Sequence, residues 1–170
     1  DVRIRSGRIV SIGSTPVENT TDIVIDGRGR FLVPGFIDSH VHLNSATGLK
    51  RQYTKDFEKL YAEFQRQQPR SFLYHGFTTV IENNGDPDID AIFESAPQHP
   101  RLIHCAQAAV LLNDFMAAEF DSEAEFRDAF PNFLHDNESS GALPKDVDRA
   151  QHTAAAVVEK IARRGGRCVK

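Results

Sequence analysis

The chain has 170 residues, 40% apolar and 26% charged, with twelve Phe supplying most of its aromatic content; that balance fits a folded globular chain and excludes a disordered or fibrous one. Its 24 acidic and 20 basic residues give a net charge of -4 and are spread along the whole length. No basic stripe exists to grip phosphates, so nucleic acid is not an expected partner. No run approaches the roughly eighteen apolar residues of a membrane-spanning helix, so no membrane partner is expected either.

Residues 2–12 read V-R-I-R, Ser6-Gly7, R-I-V-S-I, which predicts two period-2 strands joined by a two-residue turn. After a polar loop with Pro16 and Asn19, residues 22–26 predict a strand, Gly27-Arg28-Gly29 a turn and residues 31–33 the return strand. The first 34 residues thus read as a small sheet. Pro34-Gly35 interrupts the pattern and marks a domain boundary. Beyond it, strands alternate with helices. Residues 36–43 predict a strand, and residues 55–67 a helix with Phe57, Leu60, Tyr61 and Phe64 on one face. Pro69 is expected to open a separate helical turn that stops at Gly76. Crowded β-branched residues at 77–82 predict a second strand, residues 88–95 a short helix and residues 101–106 a third strand.

Residues 111–144 exceed a minimal crossover and read as an inserted excursion. Within it, Ser122 and Glu125 have the spacing of a capping box. Residues 147–164 predict one long helix ended by Gly165-Gly166, and residues 167–170 the start of a fourth strand. Strands separated by helices imply a parallel sheet. Cys105 and Cys168 each sit in a short apolar setting and are expected to be buried free thiols.

The segment that carries chemistry is Pro34-Gly-Phe-Ile-Asp-Ser-His-Val-His-Leu43. On a strand, residues two apart project to the same face, so His40 and His42 point side by side. Two neutral imidazoles so placed can share a cation; zinc binds imidazole nitrogen at about 2.0–2.1 Å. A lone His-x-His also reads as two partly exposed histidines at a strand end. His75, His99, His104, His135 and His152 lack ligand spacing and read as surface or packing residues.

Three features occur in order: the hairpin D-V-x-I-x-x-G-R-I-V-x-I-G, the P-G-F-I-D-S-H-V-H segment, and Tyr74-His-Gly-Phe-Thr-Thr-Val80. Together they resemble the amidohydrolase superfamily, whose members carry P-G-[FLM]-I-D-x-H-x-H entering the first barrel strand and G-[VFI]-T-T before the second. The resemblance implies an α/β fold: part of a small β-sandwich over 1–34, then strands one to four of a (β/α)8 TIM-like barrel over 35–170. It also implies a metal-dependent hydrolase holding one or two divalent ions, zinc foremost. His40 and His42 match the strand-one ligands. Asp38 supports a ligand from behind or makes a purely structural hydrogen bond. Lys170 stands where the family's strand-four lysine, carboxylated by carbon dioxide, bridges two ions; a plain lysine without a metal role is the competing reading.

The implied reaction is hydrolysis of a carbon–nitrogen bond, an amide or cyclic amide of a small-molecule substrate, by metal-activated water. The family's two further histidines and its proton-shuttling aspartate are expected beyond residue 170, so the chain is expected to be a fragment. Two alternatives stand beside this: a non-catalytic metal-binding remnant or half barrel needing a partner chain, and a flavodoxin-like doubly wound domain, which has no use for paired histidines. Association with further copies of the chain is left open. Substrate and compartment are not legible in these residues.

Overall fold

A computed structural model describes residues 1–14, 23–49, 54–106, 108–112, 115–136 and 142–170. The chain divides into two compact units, Asp1–Pro34 and Gly35–Lys170. In the first, β1 (Val2–Arg5) and β2 (Arg8–Ile12) pair antiparallel with Val2 opposite Ile12. Ser6 and Gly7 turn the chain with φ of 49° and 71°, both positive as a tight hairpin turn requires.

The loop around Pro16 and Asn19, with Asp22, lies outside the described residues. The second predicted strand pair does not form among the described residues. Its turn is present, with the Arg30 N–H donating to the Gly27 carbonyl at 3.0 Å, but no ladder continues from it. Ile23, Ile25 and Phe31 are 92%, 82% and 95% exposed, so neither stretch has a buried face to hold it in register, and an isolated two-stranded ribbon is marginal in water.

The second unit runs β3 (Phe36–Val41), α1 (Phe57–Tyr74), β4 (Phe77–Glu82), α2 (Pro87–Glu94), β5 (Arg101–His104), α3 (Glu123–Ala129) and α4 (Ala154–Arg163). Its sheet has the order β3-β4-β5, all parallel, with helical crossovers. The two glycine motifs interlock at the start of this sheet. The Phe36 N–H donates to the Gly76 carbonyl at 2.8 Å, and a Cβ on Gly35 would lie 2.1 Å from Thr78 Oγ1. Only glycine fits there.

Val41, Leu43, Val80 and Phe93, joined by Phe72, Ile89 and Leu102, form the core between the sheet and α1 and α2. Because neighbours along a strand alternate sides, burial of Val41 and Leu43 in that layer leaves His40 and His42 to the opposite side. The excursion after β5 builds a core of its own from Leu112, Phe126, Phe130 and Phe133, and α4 seats Val157 and Ile161 on Ala106. At the start of α3, Ser122 accepts from the Glu125 N–H, while the Glu125 carboxylate accepts from Asp121. No helix among the described residues is long and apolar enough to cross a membrane.

Four further expectations are corrected. Pro69 does not open a new turn; it lies inside a continuous α1, buried, where packing outweighs the lost backbone hydrogen bond. Residues 147–164 are not one helix, because Asp148 and Thr153 each cap the backbone two or three residues on and so divide the stretch into the 3-10 turn Arg149–His152 and α4. Residues 167–170 do not extend the ladder, although the Arg167 N–H reaches the His104 carbonyl at 2.8 Å and the Lys170 carbonyl accepts from Ala109 at 3.3 Å. Finally, Cys105 and Cys168 are not free thiols but a disulfide. Cys105 follows β5 and Cys168 lies in the segment beside it, with Cα atoms 4.3 Å apart across a sequence separation of 63; that separation hid their adjacency.

Candidate metal centre

His40 closes β3 with Val41, and His42 follows directly. Their Nε2 atoms lie 3.3 Å apart. Lys170 joins them from the far end of the chain, its Nζ 3.0 Å from His42 Nε2. The backbone bonds beside His104 and Ala109 and the disulfide at Cys168 are what carry it there. Asp38 accepts from the His40 backbone N–H through Oδ1 at 3.1 Å, so its carboxylate braces the backbone that carries His40.

A fifth group was not singled out from sequence. Glu82 ends β4 and is 1% exposed. It accepts from the Leu43 N–H through Oε2 and from the Asn84 N–H through Oε1 at 2.7 Å, and Oε1 stands 3.6 Å from His42 Nδ1. The available signal was an acid as the last residue of an otherwise apolar strand, F-T-T-V-I-E.

Burial, then the positive charge of Lys170 and the neighbouring His40, outweigh Glu82 and hold the His42 imidazole below its ordinary value. The neutral ring, the form with a lone pair to give, is favoured. Two nitrogens bound to one tetrahedral zinc at about 2.0–2.1 Å lie about 3.3–3.4 Å apart, which the His40–His42 spacing matches. Among the described residues no three His, Cys, Asp or Glu side chains converge as a cation site. The two imidazoles fit a divalent cation of zinc's preferences, and the Lys170 nitrogen beside them could join only after losing its proton.

Three of the other histidines pack elsewhere. His152 is buried, stacked on Phe133 with ring centroids 3.9 Å apart and its Nδ1 2.9 Å from the Phe133 carbonyl. His99 packs beside Phe93, and His75 beside Tyr74.

A sequence profile of the amidohydrolase family matches residues 31–167. The chain belongs to that family. Among known amidohydrolase relatives, the adenine deaminase of Bacillus velezensis is 32% identical over 148 residues, 87% of this chain and 20% of that protein. The adenine deaminase of Listeria monocytogenes is 48% identical over 107 residues, 59% of this chain and 15% of that protein. A crystal structure of a prolidase complexed with N-methylphosphonate-L-proline superposes with a TM-score of 0.61 at 24% identity, covering 99% of this chain and 40% of that one; this likeness concerns the fold. The chain therefore spans a fifth or less of the length of these two deaminases.

Proposed function

We propose that the intact protein is a metal-dependent hydrolase of carbon–nitrogen bonds, an amide or cyclic amide of a small molecule, and that His40 and His42 hold its divalent cation, zinc foremost. The observation that carries this is the approach of His40 Nε2 and Lys170 Nζ to His42 Nε2, at 3.3 Å and 3.0 Å, together with family membership over residues 31–167. In this reading residues 35–170 contribute the first strands of a (β/α)8 barrel and residues 1–34 part of a β-sandwich. The parallel β3-β4-β5 sheet with helical crossovers supports the former.

The chemistry that a cation held by His40 and His42 would supply is a water of lowered pKa and a polarised carbonyl. The protein's own part is to present two neutral imidazoles from one strand end, to brace the first through Asp38, and to bring Lys170 to the same point. Lys170 would help to hold the cation, directly or after carboxylation by carbon dioxide. The names of the deaminase relatives are consistent with carbon–nitrogen chemistry, and substrate choice in this architecture belongs to its loops.

Metal analysis of the intact protein tests the proposal. His40→Ala should lose all bound metal and activity, and Lys170→Ala about half the metal if the site holds two ions. A wild-type protein that binds no divalent metal, or a His40→Ala variant with full metal content, refutes it.

A further inference from the structure

We infer that Glu82 is a positioning residue for His42: it fixes the tautomer that carries the proton on Nδ1, so that Nε2 offers its lone pair to the point shared with His40 and Lys170. The inference rests on the metal-dependent reading above and adds a residue to it.

Two independent contacts lead to the same tautomer. A lysine ammonium can only donate, so the 3.0 Å contact from Lys170 Nζ makes His42 Nε2 an acceptor. A neutral imidazole with an accepting Nε2 has its proton on Nδ1. On that other side of the ring stands the Glu82 carboxylate, 3.6 Å from Nδ1. This is longer than a hydrogen bond, but a fixed negative charge at that range favours the nitrogen bearing hydrogen.

Glu82 is suited to act as a fixed charge. It is 1% exposed, and a buried carboxylate persists only where donors offset its lost hydration. Those donors are backbone groups: the N–H of Leu43, the residue directly after His42, and the N–H of Asn84. One carboxylate thus ties down the chain next to the imidazole and faces the imidazole itself. Asp38 stands differently, since its Oδ1 takes the backbone N–H of His40. A role for Glu82 confined to tying the strand ends together would leave Lys170 alone to set the tautomer, and removing the Glu82 charge would then not move it.

The test reads the ring directly. Metal-free intact protein labelled with ¹⁵N-histidine is examined by long-range ¹H–¹⁵N correlation at about pH 8, where imidazoles are neutral, with the His42 signals identified by their loss in His42→Gln. Wild-type His42 should show the Nδ1–H pattern. Glu82→Gln should shift it toward Nε2–H and weaken zinc binding, measured against a chromophoric chelator, by about 10–100-fold. The inference is overturned by an Nε2–H pattern in the wild type, or by a folded Glu82→Gln protein that keeps both tautomer and zinc affinity. Should Glu82→Gln not fold, Lys170→Ala decides: with the lysine's donor gone, an Nδ1–H pattern that persists upholds the role of Glu82 and one that shifts to Nε2–H overturns it. A wild type with the Nδ1–H pattern that binds no zinc would uphold the tautomer assignment while sinking the metal-dependent reading.

Discussion

Residues 23–33 and residues 36–43 are similarly rich in β-branched and aromatic side chains, yet only the second stretch becomes a strand within a sheet. Phe31 is 95% exposed, whereas Leu43 and Val80 are fully buried. β3 lies in register with β4 and is backed by α1 and α2; the described part of residues 23–33 makes one turn and no ladder. A strand pattern is thus a statement about surface that needs covering. Whether it becomes a strand depends on a neighbour.

Substitutions that remove buried surface from one unit and exposed surface from the other sharpen this contrast. Phe93→Ala should have the largest effect, lowering the stability of the second unit by about 3–5 kcal/mol in denaturant titration, because Phe93 fills the layer between β4 and its helices. An effect below about 1 kcal/mol would mean that this layer is not a close-packed core. Reducing the Cys105–Cys168 bond should cost about 2–4 kcal/mol, since it closes a loop with a sequence separation of 63. Comparison of unfolding midpoints with and without a dithiol reductant measures it.

A smaller effect should depend on pH. Burial above all, then the charge of Glu82, with His104 opposing and Glu94 and Asp86 adding, pushes Asp90 up to about 6, and its Oδ1 has no hydrogen-bond partner among the described residues. A carboxyl raised in the folded state binds its proton more tightly there than in the unfolded chain. Its contribution therefore favours the fold below about pH 4 and is lost as pH rises through about 6. The change should be on the order of 1–3 kcal/mol, and Asp90→Asn should remove that part of the slope in unfolding midpoints taken across the range. Least of all, Phe31→Ala should alter stability by no more than about 0.5 kcal/mol, as expected for an exposed side chain. A large loss there would reverse the contrast between the units.

Much of the second unit was legible one residue at a time. β4 spans residues 77–82 as expected, α2 lies within one residue of its expected bounds, and the Ser122 cap forms where its spacing placed it. These features depend on local preference: β-branched crowding, a proline at a helix start, an oxygen within reach of an N–H two or three residues on. The expectations that failed depended on competition. Pro69 stays inside α1 because packing overrides a local breaker, and residues 147–164 divide because two caps compete for one stretch.

The site divides in the same way. That His40 and His42 share a direction follows from a spacing of two on an extended chain, and so was determined by the sequence alone; the family assignment followed from motifs equally local in extent. Lys170 could be matched to a role only through the family resemblance, and Glu82 and the Cys105–Cys168 pair were not recognised at all. Each lies tens of residues or more from its partner, 128 for Lys170 and His42. Only the tertiary structure, which stacks β3, β4 and β5 in parallel and lays the segment 167–170 beside the end of β5, decides that such distant residues meet.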